Sequence, residues 1–315
     1  MAALRIIFMG TAELSCASLE SLARNELFHV AAVVTQPDKP KGRDLKLQPS
    51  PVKSLALNLN LPMLQPGRAR DEKFIGELRA LQPDLIVVVA YGHILPPAIL
   101  ELPRHGCLNV HTSLLPKYRG AAPIQWAIAN GETETGVTVM KMDAGLDTGP
   151  IISQRRTTIL PADDSTTLHD RLARLGAELL AQTIPDFIAG KIRPQPQPAE
   201  GASHAPKIKK EDGRIDWNLP AKAIWNRLRA FTPWPGLFTF LAGESKTGLL
   251  KIWKVEPLEH SGGIGEILSV DKTGITVGCG ENALRILELQ REGGRRMSTA
   301  EFLAGHALSP GEIFE

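Results

Sequence analysis

Asn109 and His111 place an amide and an imidazole two residues apart at the end of the short apolar run Cys107-Leu108-Asn109-Val110-His111. Side chains alternate along a strand, so both point to the same side. Ser113-Leu114-Leu115-Pro116 follows directly as a turn that cannot continue the strand. A second segment, Asp143-Ala144-Gly145-Leu146-Asp147-Thr148-Gly149-Pro150, adds the carboxylate of Asp147 on a glycine-bounded loop. An amide, an imidazole and a carboxylate together suit acyl transfer, which passes through a tetrahedral oxyanion. Asn109 offers that oxygen a neutral N–H, and a protonated His111 offers a charged one. A nearby carboxylate favours the imidazolium and can collect a proton, directly or through water. No Ser–His nucleophile pair is evident, so the attack is expected to be direct, without a covalent enzyme intermediate. A lone histidine near a strand end is more often structural. The company of Asn109 and Asp147 is what points to chemistry.

Such a site needs a scaffold that delivers strand ends to one edge. Strand patterns occur over residues 6–9, 30–35, 85–90, 107–111 and 137–141, and helical patterns over 14–24, 51–58, 71–81, 122–130 and 166–189. Repeated strand–helix alternation implies a mostly parallel sheet with helices on both faces. Right-handed crossovers then gather the strand carboxyl ends along one edge, where open α/β sheets bind ligands. Pro194, Pro196, Pro198 and Pro206 mark a stiff, extended stretch from Arg193 to Pro206. Beyond it, one helix near 221–230 and about five short strands fit a small barrel of the OB type. A last helix is expected at Ser298, where Ser298 and Glu301 have capping-box spacing. The fold class expected is therefore α/β: an N-terminal, mostly parallel Rossmann-like sheet plus a smaller C-terminal OB-like β-barrel. The domain boundaries expected are 1–190, a Pro-rich then basic linker over 191–210, and 211–315.

Composition limits the partners. The chain has 315 residues, a hydrophobic fraction of 43% and a net charge of +2, so bulk charge does not draw it to nucleic acid. No apolar run is long enough to span a bilayer, and the N-terminus lacks the layout of a secretion signal. Cys16, Cys107 and Cys279 are few and scattered, which suggests reduced thiols and a cytoplasmic setting. His105, Cys107 and His111 lie close together but lack a second ligand pair, so no metal is expected. Phe8-Met9-Gly10-Thr11-Ala12 stands where a dinucleotide fingerprint would be, yet the Gly-x-Gly-x-x-Gly pattern is absent, and no nicotinamide cofactor is expected.

Local charge is a different matter. From Gln36 to Lys53 five Lys or Arg face two Asp, in a loop long for a strand–helix connection. Such a loop is either a solvated surface or an arm that meets phosphates. Lys207-Ile208-Lys209-Lys210 after the Pro-rich stretch, and Arg291, Arg295 and Arg296 further on, pose the same choice. Of the tryptophans Trp217, Trp225, Trp234 and Trp253, most are expected to pack in the core rather than stack on bases.

Asn109-Val110-His111, with Ser113 to Gly120 and then Asp143 to Pro150, resembles the folate-dependent formyltransferases, most closely those that act on methionyl-tRNA. The likeness covers essentially the whole chain. It implies transfer of the formyl group of 10-formyltetrahydrofolate, a co-substrate, to the α-amino group of methionyl initiator tRNA for translation initiation. It implies that Asn109, His111 and Asp147 are catalytic. It implies folate contacts from Ser113, Leu114, Leu115 and Pro116, with Tyr91 and Asp143 in segments lining a pterin pocket. It implies tRNA contacts from Arg43 in the basic loop and from Lys207, Lys209 and Lys210 in the linker. The chain is read as a monomer with no membrane partner. One departure is visible: Ala12 and Leu14 stand where the family usually has proline and an aromatic, which bears on turn rigidity more than on the site. Three alternatives share parts of the pattern: a sugar-nucleotide formyltransferase, a hydrolase releasing formate from the same donor, and a non-catalytic RNA-binding protein.

Overall fold

The computed structural model describes residues 3–41, 46–241 and 248–315. Two compact units emerge, one comprising Met1–Pro123, Glu134–Thr158 and His169–Ala205, the other Ile124–Thr133, Ile159–Leu168 and Pro206–Glu315. Arg43 lies outside the described residues.

The first unit is built on a seven-stranded sheet: β1 (Leu4–Gly10), β2 (Phe28–Val34), β3 (Met63–Leu64), β4 (Leu85–Val89), β5 (Cys107–His111), β6 (Glu134–Lys141) and β7 (Ile151–Thr158). Their spatial order is β7-β6-β5-β4-β1-β2-β3. The pairs from β5 to β3 are parallel, and β6 and β7 are antiparallel additions at one edge. The all-apolar run Leu85-Ile86-Val87-Val88-Val89 is buried throughout, as a central strand covered on both faces must be. The chain order reverses between β1 and β4, which opens a crevice at the carboxyl ends of those strands.

Helices α1 (Leu14–Ala23), α2 (Pro51–Asn58), α3 (Glu72–Ala80), α4 (Pro97–Leu100), α5 (Pro123–Ala129) and α6 (Ser165–Ile188) intervene. Local chemistry sets their starts. The Ser50 hydroxyl accepts from Lys53 N at 3.0 Å, and the Asp71 carboxylate accepts from Lys73 N at 3.0 Å. Every strand and helix expected from the sequence in this region is present. The edge strand β7 was not expected, because Ile-Ile-Ser-Gln-Arg-Arg-Thr-Thr lacks an apolar run and buries only Ile152 fully. β7 matters to the site, since β6 and β7 hold the two ends of the loop that carries Asp147. Gly149 allows that loop to close at its base: a Cβ there would lie 1.8 Å from the carbonyl oxygen of Lys141.

The second unit contains α7 (Ala221–Phe231) and strands β8 (Leu237–Phe240), β9 (Leu249–Leu258), β10 (Ile267–Asp271), β11 (Gly274–Gly278), β12 (Ala283–Arg291) and β13 (Met297–Ser298), then α8 (Thr299–Leu303). The antiparallel order is β8-β9-β12-β11-β10, with β13 on β12. The C-terminal tail joins the two edges. Phe240 and Glu315 exchange backbone hydrogen bonds of 3.2 and 2.8 Å, while Ile267 N donates to Glu312 O at 2.8 Å. The tail thereby bridges the two outer strands of the sheet, as in a small barrel. The capping box at Ser298 is formed: Ser298 Oγ accepts from Glu301 N at 3.3 Å, and Glu301 Oε2 accepts from Ser298 N at 2.9 Å.

Of the tryptophans, Trp217 is buried and donates to Thr239 Oγ1 at 3.0 Å, Trp225 and Trp253 are half-buried, and Trp234 is exposed. Phe314, buried in the bridging tail, stacks on Trp217 with ring centroids 6.1 Å apart. Phe314→Ala removes that contact and loosens the bridge together. It is expected to cost about 3–5 kcal/mol in the second unit, measured as a lower urea midpoint of its unfolding transition.

Candidate active site

Strand alternation puts Asn109 and His111 on one side of β5, and both line a single cavity of about 580 Å³ in the first unit. Asp147 reaches the same cavity from the β6–β7 loop. Asn109 Nδ2 lies 3.5 Å from Asp147 Oδ1, and His111 Nδ1 lies 3.7 Å from Asp147 Oδ2. The amide N–H of Gly120 donates to Asp147 Oδ2 at 2.8 Å. On the far side of the ring, His111 Nε2 is 2.9 Å from the carbonyl oxygen of Tyr118. A carbonyl can only accept, so Nε2 carries a proton there. Nδ1 is left facing the carboxylate and the cavity. A protonated ring satisfies both neighbours at once, whereas the neutral ring with its proton on Nε2 turns a lone pair toward Asp147.

The turn after β5 is pinned from behind. Thr138 on β6 donates its hydroxyl hydrogen to Ser113 O at 2.7 Å and accepts from Leu115 N at 3.1 Å and from Gln154 Nε2 at 2.9 Å. Ser113 Oγ donates to Lys117 O at 2.6 Å, closing the turn across a cis Leu115–Pro116 bond. Tyr118 then takes φ +61°, and its N–H donates to Ser203 Oγ at 2.9 Å. Gly120 has φ +122° and faces the carbonyl of Ala205, which a Cβ would approach to 2.7 Å. These constraints aim the Tyr118 carbonyl at His111 and the Gly120 N–H at Asp147.

The loop that carries Asp147 is stiffened internally. Asp143 Oδ1 accepts from Gly145 N at 3.0 Å and from Thr148 Oγ1 at 2.8 Å. Asp147 itself has φ +52°, a left-handed conformation that Asp tolerates better than most residues. Leu146 and Ile94, 60% and 86% exposed, give the cavity an apolar rim. Tyr91 is another wall residue. Its carbonyl accepts from Thr11 Oγ1 at 3.0 Å and Gln36 Nε2 at 2.8 Å, tying the loop after β4 to the loops after β1 and β2. Burial pushes its phenol up to about 12, so it stays neutral, and its Oη has no hydrogen-bond partner among the described residues.

The structure thus brings Asn109, His111, Asp147, Tyr91 and Asp143 to one cavity. Ser113, Leu114, Leu115 and Pro116 are not among its walls, and they shape the turn beside it. Lys207, Lys209 and Lys210 are exposed, while Ile208 between them is buried as an anchor. In the basic loop, Lys53 Nζ pairs with Asp38 at 2.8 Å and Lys39 Nζ donates to Gln36 Oε1 at 2.5 Å. The arginine cluster of the second unit is paired internally: Arg295 with Glu301 at 2.7 Å, Arg296 with Glu288 at 2.5 Å, and Arg291 with His306. Among the described residues no group of three or more His, Cys, Asp or Glu is arranged to hold a metal ion, and no helix is long and apolar enough to cross a membrane. Sequence reasoning missed the Tyr118 carbonyl and the Gly120 amide. Backbone groups leave no mark in composition, and the one available signal was a glycine directly after Lys117-Tyr118-Arg119.

Comparison with known proteins fits this geometry. Residues 4–184 match the formyl transferase family, and residues 207–307 match the formyl transferase C-terminal domain. The chain is 52% identical over 312 residues to the methionyl-tRNA formyltransferase of Geobacter sulfurreducens, covering 99% of this chain and 96% of that protein. It is 52% identical over 315 residues to the methionyl-tRNA formyltransferase of Caldanaerobacter subterraneus, covering 99% of this chain and all of that protein. Among solved structures, the N-formyltransferase of Helicobacter canadensis, in complex with folinic acid and dTDP-3-aminofucose, shares the fold. Its TM-score is 0.66 at 20% identity, covering 90% of this chain and 98% of that one.

Thr138→Val keeps the shape at the turn and removes the hydroxyl from three partners. Leaving Leu115 N and Ser113 O with fewer partners is expected to cost about 1–3 kcal/mol, read by chemical denaturation of the purified variant.

Proposed function

The chain belongs to the formyl transferase family, and from that premise we infer that it carries the formyl group of 10-formyltetrahydrofolate to the α-amino group of methionyl initiator tRNA. The products are N-formylmethionyl-tRNA and tetrahydrofolate. One observation supports this most: an amide, an imidazole and a carboxylate meet at one cavity in a chain that matches methionyl-tRNA formyltransferases from end to end.

The cavity suits the donor. Its volume of about 580 Å³ is ample for a fused heterocycle and its linked ring. Its rim is apolar at Ile94 and Leu146, and the Tyr91 hydroxyl is a buried polar atom with no hydrogen-bond partner among the described residues. The donor supplies a formyl carbonyl bonded to a nitrogen that can leave. Tyr91 and Asp143 are read as lining the part that takes the pterin, with the Ser113–Pro116 turn bordering it.

The geometry supports the following residue roles. An esterified α-amine has a pKa below the usual 7.7–8.0 of a free terminus and is largely nucleophilic at neutral pH. As the amine nitrogen bonds to the formyl carbon, charge develops on the formyl oxygen. Asn109 Nδ2–H and the Nδ1–H of protonated His111 donate to it. Asp147 keeps the imidazolium in place and accepts the proton that the attacking nitrogen must lose. It returns that proton to the donor nitrogen as the old C–N bond breaks, so no proton is left over. Gly120 N–H and Tyr118 C=O hold Asp147 and His111 in register through both steps.

The acceptor is read as held by Arg43 together with Lys207, Lys209 and Lys210, the last three exposed around buried Ile208. Asn109, His111 and Asp147 all come from one chain, which supports a working monomer. All three cysteines are free thiols, which supports a cytoplasmic setting.

His111→Ala is expected to lower kcat about 100-fold with folding intact, measured with 10-formyltetrahydrofolate and charged initiator tRNA, uncharged tRNA serving as the blank. Near-normal turnover by that variant sinks the assignment. Arg43→Ala and Lys207→Ala are each expected to raise apparent KM for initiator tRNA more than they lower kcat. Arg43→Ala should also weaken discrimination against elongator tRNA, and both should flatten the salt dependence of KM.

A further inference from the structure

Residues 193–206 read as a stiff proline-rich connector, but the first unit retains them as far as Ala205, and Gln195 and Gln197 among them bond back to it. Gln195 exchanges backbone hydrogen bonds of 2.8 and 2.7 Å with Ile151 at the start of β7. Two residues on, the half-buried side chain of Gln197 meets the loop of Asp147. Its Nε2 donates to Asp147 O at 2.8 Å and to Gly149 O at 2.8 Å. Its Oε1 accepts from Arg119 Nε at 3.1 Å and Arg119 Nη2 at 2.7 Å.

A primary amide has two N–H donors and two acceptor lone pairs, and here all four are used. The partners leave no choice of orientation: two carbonyls need donors and a guanidinium needs an acceptor. Arg119 stands between Tyr118, whose carbonyl holds His111, and Gly120, whose N–H holds Asp147. Gln197 therefore joins the loop bearing the carboxylate to the strand that grips both catalytic partners. Asp147 needs such support, since its φ of +52° is unfavourable for a residue with a side chain. Pro196 and Pro198 flank Gln197 and restrict the backbone that delivers it.

We propose that Gln197 is a positioning residue for formyl transfer, acting through Asp147 by fixing its carbonyl and that of Gly149 against Arg119. It touches no reacting atom. The proposal rests on the reading of Asp147 as catalytic. A Glu at this position keeps the Arg119 contact through one oxygen but turns the other, an acceptor, toward two carbonyls, so it cannot substitute.

The test is a kinetic cycle on the full chain with wild type, Gln197→Ala, Gln197→Glu, Asp147→Asn and the double variant Asp147→Asn/Gln197→Ala. Both Gln197 variants are expected to lower kcat about 10–100-fold, as displacement of a catalytic group does. KM for folate donor and tRNA should stay within about threefold and thermal melting close to wild type, because no substrate contact or core residue is removed. In the Asp147→Asn background, Gln197→Ala should add almost nothing. An unchanged kcat in either Gln197 variant, a change in KM alone, or an equal loss in both backgrounds overturns the proposal. The single Asp147→Asn variant reports separately on the underlying reading. If it turns over normally, the carboxylate is not catalytic, and any loss from Gln197→Ala must then have another origin.

Discussion

The position of one carboxylate governs the site. Asp147 sits on a loop between two antiparallel strands at one side of the sheet, while its partners sit at the end of a parallel strand on the same sheet. Its side chain meets Asn109, His111 and the Gly120 amide, and its backbone is held in a left-handed conformation. A carboxylate placed there is partnered by the amide, the imidazole and a backbone N–H, so it is not left as an unpaired charge. The neighbouring features serve that placement. Gly149 lets the loop close, Asp143 stiffens it, Gly120 tolerates the Ala205 carbonyl, and Thr138 locks the turn that aims the backbone.

The scaffold divides rigid and adaptable parts sensibly. Asn109 and His111 stand on a strand inside the sheet, where backbone pairing on both sides resists displacement. Asp147 and the apolar rim residues Ile94 and Leu146 stand on loops instead, and the Asp147 loop depends on its own hydrogen bonds for order. The loop member of the trio is held by the Gly120 amide at its side chain and by Gln197 at its backbone.

The basic segments proved unequal once placed. Arg295 and Arg296 of the second unit are matched by Glu301 and Glu288, and Arg291 bonds to His306, so the local excess of charge is smaller than the number of arginines suggests. Pairing with Arg295 and capping of Ser298 hold the Glu301 carboxyl down at about 2, and it remains an anion throughout the physiological range. Lys207, Lys209 and Lys210 instead stand exposed around a buried isoleucine. A row of outward ammonium groups next to an apolar anchor is better suited to a polyanion than a set of internally satisfied guanidinium groups.

Much was legible from the chain alone. Strand alternation was enough to place Asn109 and His111 on one side, and the glycines around Asp147 marked its loop, because these depend on neighbours one to four residues away. Strand–helix periodicity likewise specified the parallel sheet, and short strands with turn residues specified the barrel. Tertiary structure decided the rest. Gln197 reaches Asp147 across 50 positions and Arg119 across 78, Ser203 reaches Tyr118 across 85, and the last residue bonds to a strand 76 positions earlier. No local period encodes such pairings. They form because buried donors and acceptors must find partners once the sheet has brought distant segments together, and only then does a proline-rich connector become part of the site.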